Sequence, residues 1–224
     1  MKIENKNIFH MALGFLAAFM LWTAAICLID VQAIGPLEST VGFATFNRFF
    51  HSLTDVHMVL YTITDWLGLV PLGVAAGFAL LGLVQWVRRK HLLQVDSSLL
   101  ALGGFYLVVM AAYCFFEQVV INYRPILIEG RLEASYPSST TMLVLCVMPT
   151  AMMQFHSRIR NKRLSQCVDF LIISFTGFMV VGRLLSGVHW LTDIIGGALL
   201  SAGLVMLYAS LSTNSGKDNP YRRH

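Results

Sequence analysis

Charge is what this chain has least of. Only 12% of its 224 residues are Asp, Glu, Lys or Arg, about half the share near 25% usual for a soluble domain. Hydrophobic residues make up 56% of it, and the mean hydropathy is +0.67. That balance argues against a water-soluble enzyme. The net charge of +4 is no argument for a nucleic-acid partner either, because the basic residues fall in short clusters between apolar runs, as membrane topology produces. Paired cysteines are also missing. Cys27, Cys114, Cys146 and Cys167 stand singly in apolar segments with no CxxC, so they read as small core hydrophobes and not as a disulfide scaffold. No internal repeat and no long linker divides the chain, so residues 1–224 are expected to form one membrane domain. No small-residue cleavage pattern is clear before Asp30, so the first apolar run is expected to be a retained helix, not a removed signal.

What the chain does have is apolar runs near the length a bilayer demands, about 20 residues. Six are readable, at 8–29, 66–87, 99–116, 138–155, 167–181 and 191–211. The expected fold is all-α: a polytopic six-transmembrane-helix bundle. Residues 31–65 carry aromatics and scattered polar groups, which suits an interfacial helical segment between the first two spans. The last run is rich in Gly and Ala, which lets helices approach closely. Residues 212–224 read as a flexible cytoplasmic tail.

Orientation follows from Lys and Arg. Alternating spans put Lys2, Lys6, Arg88, Arg89, Lys90, Arg158, Arg160, Lys162, Arg163, Lys217, Arg222 and Arg223 on one side, and only Arg48, Arg124, Arg131 and Arg183 on the other. The positive-inside rule then places both termini in the cytoplasm. Arg124 and Arg183 lie on the side that should lack basic residues, so topology does not account for them.

Three segments converge on that outer mouth: Tyr123-Arg124-Pro125, Tyr136-Pro137-Ser138-Ser139-Thr140-Thr141, and Gly182 to Asp193. His189 and Asp193 are four apart and share a helix face. A Pro-Ser-Ser turn entering a helix offers free N–H groups and hydroxyls at the positive end of a dipole, an anion cradle. Arg124 and Arg183 add bidentate donors for phosphate oxygens. A histidine oriented by a carboxylate can attack phosphorus. Taken singly, each has a plain structural explanation: a helix end, an N-cap, a core histidine. Together on one face they favour a phosphate site.

These segments resemble the three motifs of the type-2 phosphatidic acid phosphatase superfamily, the lipid phosphate phosphatases related to vanadium haloperoxidases. The motifs are Lys-x6-Arg-Pro, Pro-Ser-Gly-His and Ser-Arg-x5-His-x3-Asp. Here they read EQVVINYRP, PSST and GRLLSGVHWLTD, and the likeness covers roughly residues 60–211, a phosphatase-like core. The resemblance implies that His189 is a nucleophile forming a phosphohistidine and Asp193 its orienting partner. It gives phosphate oxygens to Arg124, Arg183, Ser138 and the backbone around Ser139. It also implies an integral protein of a bacterial plasma membrane, an extracytoplasmic active site, a lipid phosphate as substrate and no cofactor.

Four positions depart from the pattern: Glu117 stands for the Lys, Ser139 for the Gly, Thr140 for the His and Gly182 for the Ser. In the family that His protonates the leaving oxygen, and Thr cannot do so near neutral pH. General acid catalysis is worth about 10²–10⁴-fold, most for a poor leaving group, so the loss leans the expectation towards a diphosphate or a phosphotransfer reaction. Glu117, Glu129, Glu133, Tyr123 and Tyr136 are candidate replacement acids. The alternative is an impaired relative that binds or transports lipid phosphates. The cradle reads only phosphate, so undecaprenyl diphosphate, phosphatidylglycerol phosphate and phosphatidate all fit it. His51, Asp55 and His57 lie close in sequence, but their spacing matches no strong metal-ligand motif, and no metal is expected.

Overall fold

A backbone that leaves water must satisfy its own N–H and C=O groups, and the apolar runs do so as helices. The computed structural model describes residues 2–215. These form α1 (Lys2–Leu28), a short antiparallel hairpin of β1 (Gln32–Ala33) and β2 (Thr40–Val41), α2 (Ala44–Thr54), α3 (Met58–Leu67), α4 (Leu69–Arg89), α5 (Ser97–Gln118), α6 (Ser139–His156), α7 (Lys162–Leu185) and α8 (Leu191–Ser215). Residues 216–224, most of the expected tail, lie outside the described residues, and the part of the tail up to Ser215 continues α8.

The polarity of the bundle is inverted relative to a soluble protein. Leu21, Leu107 and Phe170 are 72%, 73% and 71% exposed, while Asn47, Thr64, Arg183, Ser186, His189 and Asp193 are buried. Apolar surface facing out and polar groups packed inside is what a lipid solvent selects. Among the described residues, five helical stretches are long and apolar enough to cross a membrane: Asn5–Leu28, Met58–Arg89, Ser97–Gln118, Lys162–Leu185 and Leu191–Ser212. The remaining expected span, at 138–155, is α6. It has 18 residues, polar ones at both ends, and nine of them are buried. It packs on α4, α7 and α8 and joins both apolar clusters, through Met142 and Cys146 on one side and Val144 and Met148 on the other. Its surroundings, more than its own hydropathy, hold it in place.

Two boundaries differ from expectation. The second crossing stretch starts at Met58, not at residue 66, and bends at Gly68 between α3 and α4. Polar residues there mask the helix in the sequence, yet Thr62 and Thr64 return their hydroxyls to the Met58 and Leu60 carbonyls, both at 2.9 Å. Four-back bonding of this kind lets threonine sit in a helix. The stretch expected at 167–181 runs 162–185, because the Asn161 side chain caps its start and Arg183 finds partners at its end. Asp96 precedes α5 as expected of a cap, but its carboxylate takes Gln85 and Arg89 instead of the helix amides.

Candidate active site

The start of α8 sets the site. Trp190 precedes the helix and Asp193 is its third residue. Asp193 Oδ2 accepts from the Trp190 N–H at 3.0 Å, the reach-back half of a capping box. Asn47 of α2 supplies the rest, accepting from Thr192 N at 3.4 Å and donating to Thr192 Oγ1 at 3.0 Å. The loop from α7 turns through Gly187, which has φ +68°. A Cβ there would stand 2.0 Å from the Asp55 carbonyl oxygen, so the turn and the close approach both demand glycine. His51 Nε2 lies 3.1 Å from the Gly187 carbonyl, and His57 N donates to Ser186 O at 3.0 Å. The segment between the first two crossings therefore braces the loop that carries His189. Among the described residues no group of three His, Cys, Asp or Glu could hold a metal ion.

His189 is 3% exposed. Its Nε2 is 3.3 Å from Arg124 NH1, and its Nδ1 is 3.8 Å from Asp193 Oδ2. A guanidinium only donates. Nε2 therefore accepts in a neutral ring, and Nδ1, on the carboxylate's side, makes no hydrogen bond. Burial, followed by the charges of Arg124 and then Arg183, holds the imidazole well below its ordinary range, against a smaller opposing pull from the Ser135 backbone. Asp193 is fully buried, and Asn122 Nδ2 donates to its Oδ1 at 3.3 Å.

Both arginines meet carboxylates. Arg124 Nε lies 3.0 Å from Glu133 Oε2. Arg183 is 1% exposed; its NH2 is 3.2 Å from Asp65 Oδ1, NH1 donates to Thr64 Oγ1 at 3.3 Å, and its head covers the Tyr61 ring at 4.8 Å. Ser138 stands at the N-cap of α6 and donates its N–H to the Asp193 carbonyl at 3.1 Å. Two helix N-termini, those of α6 and α8, thus abut beside His189. Ser138 Oγ is fully buried, caps no amide and has no hydrogen-bond partner. A buried hydroxyl without a partner is costly, and an oxyanion at this place would satisfy it.

His189, Asp193, Arg124, Arg183 and Ser138 thus come together. Ser139 and Glu117 line a small pocket of about 10 Å³ with His189 and Tyr136. Thr140 does not face that pocket. It lines, with Ser139, an adjoining apolar cavity of about 370 Å³ between α3–α4, α5 and α6, in whose lining Asp65 is the one charged residue. Of the other candidate acids, Glu133 is taken by Arg124, and Tyr136 is buried with its hydroxyl 2.7 Å from Thr23 Oγ1. Glu129 is exposed in a tight turn bridged by Ile128 and Arg131.

Sequence reasoning missed Asn122, Asn47, Trp190 and Asp65. Asn122 donates to Asp193 and accepts from Gly42 N at 3.3 Å. Trp190 Nε1 donates to the Tyr123 carbonyl at 2.7 Å and ties the segment before Arg124 to the loop. Asn122 and Trp190 lie inside the quoted motifs, where a buried amide and an indole N–H beside charged residues were a usable signal. Asp65 and Asn47 lie far away in sequence and gave none.

A family model described as the PAP2 superfamily matches residues 103–217. No curated protein sequence matches the chain significantly. Among solved structures, the chain is similar to the first transmembrane PAP2-type phosphatidylglycerolphosphate phosphatase from Bacillus subtilis. That match has a TM-score of 0.56 and 17% identity, and it covers 94% of this chain and 98% of the other.

Proposed function

Because the chain belongs to the PAP2 superfamily, we propose that it is an integral membrane phosphatase or phosphotransferase acting on a lipid-linked phosphate or diphosphate through phospho-His189. The observation that carries this reading is the setting of His189: its Nε2 lone pair is held 3.3 Å from Arg124 NH1, and its Nδ1 lies 3.8 Å from the buried Asp193 carboxylate. A phosphate that takes over Arg124 and Arg183 frees that lone pair and brings phosphorus to it. Nε2 attacks in line, the lipid oxygen departs, and Asp193 stabilises the imidazolium that forms. The guanidinium groups, Ser138 Oγ and the first amides of α6 take the equatorial oxygens, where positive groups fixed in advance stabilise developing charge. Water or a second acceptor then attacks phosphorus and frees His189.

The tail has a place to lie. The cavity of about 370 Å³ starts beside Arg183's partner Asp65 and runs between apolar walls such as Leu72, Val109, Leu143 and Val147. In a six-span arrangement with α6 as the fourth, both termini lie in the cytoplasm, the site opens at the outer leaflet, and α2, with Phe49 and Leu53 exposed, rests in the interface. Phosphatidylglycerol phosphate, the class of substrate in the similar structure's description, is one candidate. Phosphatidate and undecaprenyl diphosphate are others.

Phosphate release from a panel of these lipids by purified protein in detergent tests the proposal. Turnover of at least one, lowered about 10²-fold or more by Arg183→Gln, is expected. No release from any of them would refute it. The second reading, a binder or transporter without turnover, is favoured by Thr140 at the family's acid position. It predicts a silent protein that gains activity on Glu117→Lys with Thr140→His.

A further inference from the structure

We propose that Asp65 is the catalytic acid for the leaving oxygen, in the place the family gives to histidine. The inference rests on the phosphatase reading above and deepens it. The leaving oxygen bridges two parts of the substrate, the phosphate and the tail. The phosphate must touch Arg183, and Asp65 Oδ1 is 3.2 Å from that guanidinium. The tail must occupy the 370 Å³ cavity, and Asp65 lines it together with Ser139 and Thr140. The bridging oxygen therefore passes Asp65. Among the residues lining that cavity Asp65 is the only carboxylate. Tyr106 turns its hydroxyl to Thr150 at 3.2 Å, and Tyr113 lies beside Glu117. Glu117 lines, with His189, a pocket of about 10 Å³, too small for an alkyl tail, and it does not line the 370 Å³ cavity. The Asp65 side chain is 56% exposed, which leaves it room to change partners.

The protons balance. The substrate binds as a monoanionic phosphate, whose second ionisation lies near pH 6. As a phosphate oxygen takes Asp65's place on Arg183, the phosphate's proton passes to the Asp65 carboxylate. His189 Nε2 then forms the N–P bond, the P–O bond to the lipid breaks, and the Asp65 proton goes to the departing oxygen, releasing an alcohol. In the second step the Asp65 carboxylate takes a proton from water, the water oxygen bonds to phosphorus, the N–P bond breaks and its electron pair returns to Nε2; Asp65 then passes that proton to the departing phosphate and returns to Arg183 as a carboxylate. An acid at Asp65 admits monoesters with alkoxide leaving groups, the class that Thr140 on its own disfavours.

The test compares kcat/KM, which reports the first chemical step, on a long-chain alkyl phosphate and on p-nitrophenyl phosphate, whose leaving group needs no acid. Asp65→Asn should lose about 10²–10⁴-fold on the alkyl ester and less than about tenfold on the aryl ester. Asp65→Glu, which keeps an anion for Arg183, should show the same selectivity in smaller size, and it carries the test if the Asn variant does not fold. Equal losses on both esters, or an unchanged alkyl rate, would overturn the role of Asp65 and leave the phosphatase reading standing. A wild type inert on both esters and on diphosphates would bring down that reading and this inference with it.

Discussion

His189 sits between two positive charges it does not neutralise and one carboxylate it only approaches. Its depressed basicity, caused first by burial and then by Arg124 and Arg183, has a measurable consequence. The unfolded chain takes up a proton near pH 6.5, while the folded ring resists it. The folded state is therefore at full stability above that pH and loses stability as pH falls below it. Thermal midpoints of wild type should drop on acidification from pH 7 to 5, and His189→Asn should drop less. An equal slope for both proteins would contradict the burial argument. Arg183 supplies a second case. Its planar fork spans Thr64 and Asp65 from a position 1% exposed, a geometry an ammonium does not reproduce. Arg183→Lys should lower kcat/KM by about 10²-fold in a phosphate-release assay; retention of activity would show that charge alone suffices. At this scale the sequence was most legible where spacing carries chemistry. His189, Asp193, Arg124 and Arg183 were found because charge beside apolar runs stands out. Asn47 was not, because an amide that caps a helix from a distance leaves no periodic mark, whereas Asn122 stood readable beside Arg124.

The elements show why the catalytic loop keeps its shape. The loop from Ser186 to Trp190 is fixed by α2, by the start of α3 and by the first turn of α8. Gly187 is the point of least tolerance. Gly187→Ala forces a Cβ into the Asp55 carbonyl at a positive φ and should cost about 1–3 kcal/mol from the backbone conformation alone, with activity falling in parallel. A thermal midpoint within a degree of wild type would show that the turn can relax. The tail cavity yields a further prediction. Leu143→Trp fills part of the 370 Å³ between α4, α5 and α6. It should raise KM for long-chain lipid phosphates by about tenfold, or ~1.4 kcal/mol, and leave p-nitrophenyl phosphate hydrolysis unchanged. Equal effects on both would place the tail elsewhere. Helix positions were readable from hydropathy wherever lipid sets the composition. The boundaries failed where threonine hydroxyls bond back into the helix, as in α3, or where a buried arginine ends it, as in α7.

For the whole molecule, apolar side chains face the bilayer on the outside, while a buried polar network around His189 sits beside two apolar clusters in the interior. α8 lies against α1, α5 and α6, and its first turn holds Asp193. The bundle was legible as a class because a chain this poor in charge can fold only against lipid. The meeting of α3 with α7 was not, since only tertiary packing brings Asp65 and Arg183 together across more than a hundred residues. Two carboxylates, Asp65 and Glu133, hold the arginines in place, and substrate phosphate must compete with both. The central claim is that His189 carries the phosphoryl group. It is tested most directly by stopping turnover of a lipid phosphate with acid-free denaturant and mapping the phosphorylated peptide by mass spectrometry. A phosphoryl adduct on His189, absent from His189→Ala, is expected. An adduct on another residue, or full turnover by His189→Ala, would contradict it.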